Sequence, residues 1–73
     1  MSADKLVMMA NQIGKFFAAQ PQSDGVAGVA DHIKKFWDPR MRRQIAAHLA
    51  AGGAGLDPMV LEAVKSLPPV AAK

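Results

Sequence analysis

Residues 31–43 read Asp-His-Ile-Lys-Lys-Phe-Trp-Asp-Pro-Arg-Met-Arg-Arg, and this stretch decides how the chain folds. Asp38 can accept hydrogen bonds from the free N–H groups of a new helix, and Pro39 suits its first turn, where no N–H is needed. The residue before a proline is disfavoured in the α conformation, so a helix arriving through Phe36 and Trp37 has to end there. The stretch therefore predicts a sharp corner between two helices, with two aromatic side chains just before it.

Two helices with matching apolar stripes are predicted before this corner. Helix one runs from about Asp4 to Ala19 and helix two from about Asp24 to Phe36. The stripes, at helical spacing, are Leu6, Met9, Ala10, Ile13 and Phe17 in the first and Val26, Val29, Ala30, Ile33 and Trp37 in the second. Each residue of the second stripe lies 20 places after its counterpart, which indicates an internal repeat or two amphipathic helices that converged on one pattern. Either origin predicts that the two helices pack as an antiparallel hairpin.

Two more helices are predicted after the corner, from Pro39 to about Ala51 and from about Pro58 to Leu67. The glycines of residues 52–55 stop the first of these and are expected to form a flexible connector. Asp57 and Pro58 repeat the Asp-Pro arrangement, so Asp57 is predicted to cap helix four as Asp38 caps helix three. The predicted fold class is all-α, a small bundle of four short helices with Asp-Pro corners before helices three and four.

The length allows one small helical domain, residues 1–73, with residues 68–73 expected to fray. A core of this size supplies only about 3–5 kcal/mol, and small folds usually need a disulfide, a metal or a partner. The chain has no cysteine, and His32 and His48 lack the spacing of metal ligands. A partner is therefore the expected source of further stability.

Composition argues against several classes of function. There is no basic leader followed by an apolar run and no stretch of roughly 20 apolar residues, so we expect a soluble, cytoplasmic chain. No Ser and His are placed as a dyad, and Gly52-Gly53-Ala54-Gly55 lacks the Lys-Ser or Lys-Thr of a phosphate loop. The acidic residues are scattered, and four of them are assigned as helix caps: Asp4, Asp24, Asp38 and Asp57. We predict that the chain has no catalytic residue and binds no metal or cofactor itself.

Several residues are poorly explained by an internal core or a solvated surface. Met8 and Phe16 lie off the stripe of helix one, and Phe36 repeats the off-stripe position of Phe16.

Residues 31–43 contain five Lys or Arg and two Asp, a net charge of +3. Three of the arginines lie together at a helix N-terminus, where the helix dipole disfavours cations by about 0.3–1 kcal/mol each. Part of the Trp37 ring is expected in the core. The predicted partner interface is Met8, Phe16, Phe36, Trp37, Arg40, Arg42 and Arg43.

The chain resembles the delta subunit of soluble NAD-dependent formate dehydrogenase. One matching run is residues 35–42, and its specific part is Phe-Trp-Asp-Pro-Arg-Met at residues 36–41. The other matching segments are residues 9–13 with Phe16-Phe17, residues 29–33, residues 50–53 and residues 55–58. The resemblance covers nearly the whole chain.

This resemblance implies a partner that the residues alone do not identify. In the family, the alpha subunit oxidises formate to carbon dioxide at a bis-molybdopterin guanine dinucleotide centre. Electrons then pass through iron–sulfur clusters and FMN to NAD in the beta and gamma subunits. The delta subunit has no cofactor and no catalytic residue, and it is expected to aid assembly or stability by docking on the alpha subunit.

Two other functions were weighed against this one. A small basic helix-turn-helix nucleic-acid-binding protein would explain the Asp38-Pro39 corner and the basic run. However, helix three contains one Gln and no Asn, the side chains that recognise adenine. Its exposed residues beyond Arg43 are mostly alanines, which cannot form hydrogen bonds to bases. A helix pair lying on a membrane is weaker still, because narrow apolar stripes are explained by helix packing. We therefore predict neither nucleic-acid nor membrane partners.

Overall fold

A computed structural model describes residues 2–20 and 24–68, and these residues form helices and no strand. The helices are α1 (Ala3–Ala18), α2 (Gly25–Phe36), α3 (Pro39–Ala50) and α4 (Pro58–Ser66). The prediction of an all-α fold with four short helices is confirmed, and each helix begins and ends within one residue of its expected limit. Residues 21–23 of the predicted break and residues 69–73 of the predicted frayed tail lie outside the described residues.

Aspartate side chains cap α2 and α3 as predicted. The Asp24 carboxylate accepts a hydrogen bond from the Ala27 N–H at 3.2 Å, and the Asp38 carboxylate accepts one from the Met41 N–H at 2.8 Å. Asp38 has extended backbone angles (φ −72°, ψ 167°), as expected for a residue before proline. Each cap satisfies a backbone donor that has no partner within its helix.

The other two helices are capped differently from the prediction. The N-cap of α1 is Ser2, whose hydroxyl accepts from the Lys5 N–H at 3.2 Å, so the assignment of Asp4 as a cap is wrong. Asp4 lies in the first turn instead, where its charge is favourable to the helix dipole. Asp57 occupies the N-cap position of α4, but its carboxylate makes no capping hydrogen bond.

The core lies where all four helices meet. α1 packs against the other three helices, whereas α2 and α3 each pack against α1 and α4 and have little contact with each other. The buried apolar side chains are Leu6, Ala10, Val29, Ile33, Trp37, Ile45, Val60, Ala63 and Val64. Fully burying one side chain of the size of Leu or Ile contributes about 1.5–3 kcal/mol, which offsets part of the conformational entropy lost on folding.

Two glycines let helices approach closely. A Cβ at Gly28 would lie 2.6 Å from the Phe17 ring, and one at Gly14 would lie 2.5 Å from the Val60 side chain. These distances are shorter than side-chain packing tolerates. Gly28 therefore fixes the spacing of α2 from α1, and Gly14 fixes that of α4 from α1.

The glycine-rich connector between α3 and α4, predicted to be flexible, has a defined conformation with backbone hydrogen bonds. The Gly53 N–H donates to the His48 carbonyl oxygen at 2.9 Å and the Gly52 N–H to that of Leu49 at 3.0 Å. With φ of +122° at Gly52 and +67° at Gly53, this is the Schellman arrangement that ends many helices. The His48 ring nitrogen Nε2 lies 2.7 Å from the Ala54 carbonyl oxygen and must donate to it, because a carbonyl can only accept.

Asn11 joins this connector to α1. Its side-chain amide nitrogen donates to the Gly55 carbonyl oxygen at 2.9 Å, and its amide oxygen accepts from the Asp57 N–H at 3.0 Å. One side chain therefore satisfies two backbone groups that lie more than forty residues away. The anchored Asp57 N–H fixes where α4 begins.

Replacing Asn11 by alanine is expected to lower the free energy of unfolding by about 1–2 kcal/mol, because both backbone groups lose their partner. Urea unfolding followed by circular dichroism at the helical band measures this change. Gln12→Ala is the matched control, since Gln12 is the exposed neighbour on the same helix. Equal midpoints for the two variants would show that the Asn11 bridge contributes nothing.

Candidate functional site

Three large apolar side chains are exposed although the core is complete without them. Phe36 is 73% exposed, Phe16 is 61% exposed and Met8 is 56% exposed. Their positions off the apolar stripes had predicted this exposure. Large apolar side chains outside the core, where they lie together on a surface, mark sites of interaction.

Trp37 lies in the core, with only 5% of its surface exposed. The N–H of Trp37 still donates to the Ile33 carbonyl oxygen at 2.9 Å, but its backbone is extended (φ −86°, ψ 134°). The chain therefore leaves the helical path at Trp37, one residue after Phe36. The sequence predicted that part of the Trp37 ring would lie in the core, and nearly the whole residue does. Trp37 is therefore not part of the exposed surface in this structure.

A shallow cleft between α1 and α2 is lined by Phe16, and Phe36 contacts another of its lining residues, His32. The cleft has a volume of about 250 Å³ and is lined by Ile13, Phe16, Phe17 and His32. The Phe16 and Phe17 rings meet edge to face with centroids 5.2 Å apart, and the rings of His32 and Phe36 are 4.8 Å apart at an angle of 41°. We call Phe16, His32 and Phe36, with this cleft between the helices, the aromatic surface.

Sequence reasoning missed the part that His32 has in this surface. The sequence was considered only for metal ligation at His32, yet its half-buried ring lines the cleft and contacts Phe36. The signal was present in the spacing, because residues four apart on a helix are neighbours. Met8 is different: it lies about 12 Å along α1 from Phe16 by helical rise, and no described ring or cleft contact joins it to the aromatic surface.

The arginines after the corner have no ion-pair partner among residues 2–20 and 24–68. The two described ion pairs are Lys35 with Asp31 at 3.1 Å and Lys65 with Glu62 at 3.3 Å, and all four side chains are mainly exposed. Such exposed pairs contribute at most about 1 kcal/mol. The nearest carboxylate in sequence, that of Asp38, is engaged in capping α3. Arg40 and Arg43 are exposed and Arg42 is half-buried, and none of the three guanidinium groups forms an ion pair among the described residues.

The part of the chain that contains the aromatic surface and the arginines matches a known protein family. Residues 5–64 match the family model of the NADH-dependent formate dehydrogenase delta subunit, FdsD. The chain belongs to this family. The resemblance inferred from sequence is thereby confirmed. No curated protein matches the chain.

The match to the delta-subunit family includes every residue that we assign to the aromatic surface and all three arginines. Within the described ranges there is no group of three or more His, Cys, Asp or Glu placed to hold a metal ion. No helix in those ranges is long and apolar enough to cross a membrane. The aromatic surface and the three arginines offer aromatic rings and guanidinium groups to a partner.

Arg42 carries a buried donor that the fold does not satisfy. Its Nε atom is buried and has no hydrogen-bond partner among residues 2–20 and 24–68. A buried unsatisfied donor costs about 1–3 kcal/mol, and more when the group is charged. An apolar side chain of similar length at this position is therefore expected to stabilise the isolated chain.

Replacing Arg42 by methionine is expected to raise the free energy of unfolding of the isolated chain by about 1 kcal/mol, since it removes the unsatisfied donor and keeps the apolar stem. Thermal unfolding measures the change. Arg43→Met is the control, because Arg43 is exposed and its substitution should change stability by less than about 0.5 kcal/mol. A lower melting temperature for Arg42→Met than for Arg43→Met would contradict this interpretation.

Proposed function

We propose that this chain is a non-catalytic accessory subunit that docks on the large molybdenum-containing subunit of an NAD-dependent formate dehydrogenase and aids assembly or stability of the complex. The observation that carries the proposal is the exposure of Phe16 and Phe36 on an otherwise complete fold. Membership of the delta-subunit family supplies the complex. Exposed aromatic rings that the fold does not need are best explained by burial against a partner.

The proposed docking residues are Phe16, Phe36, Arg40 and Arg43. Arg42 belongs to the same group of arginines but is half-buried. Aromatic residues and arginine are over-represented among residues that dominate binding energy, especially where they become fully desolvated. Trp37 contributes indirectly, because it lies in the core directly after Phe36 and helps to hold the end of α2 in place. Met8 lies away from these residues on α1 and would extend the contact only if the partner surface is broad.

We place the redox chemistry in the other subunits of the complex. By the family resemblance, the alpha subunit holds the bis-molybdopterin guanine dinucleotide, and the iron–sulfur clusters and FMN lead from it to NAD. The delta subunit would act by binding energy alone. A partner that binds only the assembled form stabilises it by about 2.7 kcal/mol when its concentration is one hundred times Kd.

The experiment is co-expression of the tagged chain with each formate dehydrogenase subunit in turn, followed by affinity purification. We expect the large molybdenum-containing subunit to be retained, and the complex purified without the delta subunit to melt at a lower temperature. Adding the purified chain back should restore the melting temperature. Circular dichroism of the tagged chain alone controls for its folding.

Two results of this experiment would overturn the proposed role or the proposed partner. If a folded chain retains no subunit and leaves the melting temperature of the complex unchanged, it is not an accessory subunit of this enzyme. Retention of the beta or gamma subunit in place of the large one would keep the accessory role and overturn the proposed partner.

A further inference from the structure

We propose that the cleft between α1 and α2 receives one bulky apolar side chain of a partner segment whose neighbouring residues are carboxylates. This inference rests on the proposed function and adds the chemistry by which the partner is recognised. Three observations support it: the shape of the cleft, the aromatic rings on its rim, and the unpaired arginines beyond it.

The cleft suits a side chain better than a metabolite. Its volume of about 250 Å³ lies below the roughly 300–1,000 Å³ of small-molecule pockets. Its lining consists of Ile13, Phe16, Phe17 and His32, so most of its wall is hydrocarbon or aromatic ring. An apolar side chain entering it would be desolvated on several sides, as the anchors of protein interfaces are.

The other described clefts differ in their lining. The cleft between α2 and α4, about 450 Å³, is lined in part by Asp31, Lys34 and Ser66. A third cleft, about 290 Å³, lies between α1 and the start of α4, and its wall is also mostly apolar. Neither of these two clefts is lined by an aromatic ring, so of the three the cleft beside Phe16 is the one that offers aromatic rings to an apolar anchor.

The unpaired arginines of this chain predict carboxylates on the partner segment, because opposite charges attract across an interface. Phe36 contacts His32 at the rim of the cleft, and Arg40 follows only four residues later. Four residues of chain span at most about 14 Å, which puts Arg40 within reach of a segment that occupies the cleft. Arg40 and Arg43 are exposed and have no ion-pair partner among the described residues. Arginine pairs with carboxylates in a planar, two-point geometry.

The test measures Kd between the purified chain and the formate dehydrogenase complex prepared without it, at several NaCl concentrations. His32→Trp fills the cleft and is expected to weaken binding at least tenfold. Ala27→Trp is the matched control, because it puts the same ring into the cleft on the other flank of α2 and should leave Kd unchanged. The double variant Arg40→Glu with Arg43→Glu should weaken binding at least tenfold and remove most of the salt dependence. Circular dichroism verifies that each variant is folded.

The outcomes separate this inference from the proposed function. If the unsubstituted chain does not bind the complex, the proposed function fails. If it binds but His32→Trp binds equally well, or Kd is independent of salt, only the cleft and its acidic partner segment are wrong. Sedimentation of the free chain gives a further test: a dimer that His32→Trp dissociates would mean that a second copy of the chain occupies the cleft, and would overturn the inference.

Discussion

Replacing Trp37 by alanine is expected to unfold most of the free chain at 25 °C. Trp37 is 5% exposed and belongs to the buried cluster in which Ile33 and Ile45 also lie. Truncating a buried tryptophan to alanine costs about 3–5 kcal/mol, and a core of this size supplies only about that much in total. Circular dichroism should therefore show loss of most helical signal without denaturant.

Phe36→Ala provides the control, because Phe36 is the adjacent aromatic residue and is 73% exposed. Its loss should change the free energy of unfolding by less than about 0.5 kcal/mol. A folded Trp37→Ala variant, or equal destabilisation by the two substitutions, would contradict the placement of the tryptophan in the core. Weak co-purification of Trp37→Ala with a partner would by itself say nothing about docking, since the fold is lost first.

Replacing Phe16 and Phe36 together by serine is expected to reduce affinity for the formate dehydrogenase complex by at least about 30-fold. An anchor residue in an interface commonly contributes about 2 kcal/mol or more on truncation, which corresponds to about 30-fold in Kd. Phe16 lines the cleft and Phe36 contacts its lining residue His32, so the effects of the two substitutions need not add. Kd is measured by surface plasmon resonance with the complex immobilised.

The matched control removes two exposed side chains elsewhere. Glu62 and Lys65 pair with each other on α4 and are each 59% exposed, so replacing both by serine leaves no charge unpaired. That variant should bind like the unsubstituted chain. If the serine variant of the two phenylalanines keeps full affinity while its circular dichroism spectrum is native, the aromatic surface is not the docking surface.

The sequence was sufficient to predict the helices because the signals for them are local. Apolar stripes at helical spacing, together with Asp38-Pro39 and Asp57-Pro58, fix where the helices lie and where α3 and α4 begin. The exposure of Phe16 and Phe36 also followed from their angle to the stripes. All of these inferences use neighbours within about one helical turn.

The features that sequence did not predict depend on contacts between distant residues. Asn11 bridges to Gly55 and Asp57, and nothing near Asn11 in the chain indicates those partners. The same bridge ties the glycine-rich connector to α1. The role of Trp37 was only partly predicted, because the local pattern could not tell whether a ring at the end of α2 turns inward. The core formed by all four helices decides that, and it takes in Trp37 and leaves Phe36 outside.

Hydroxyl-radical footprinting of the unsubstituted chain, free and bound to the formate dehydrogenase complex, tests the docking surface most directly. Both phenylalanine rings of the aromatic surface should be oxidised readily in the free chain, because they are 61% and 73% exposed. We expect both to become strongly protected in the complex, while half-buried Met59, which lines the cleft between α1 and α4, keeps its reactivity. Unchanged oxidation of both phenylalanines in a complex that has demonstrably formed would contradict the account.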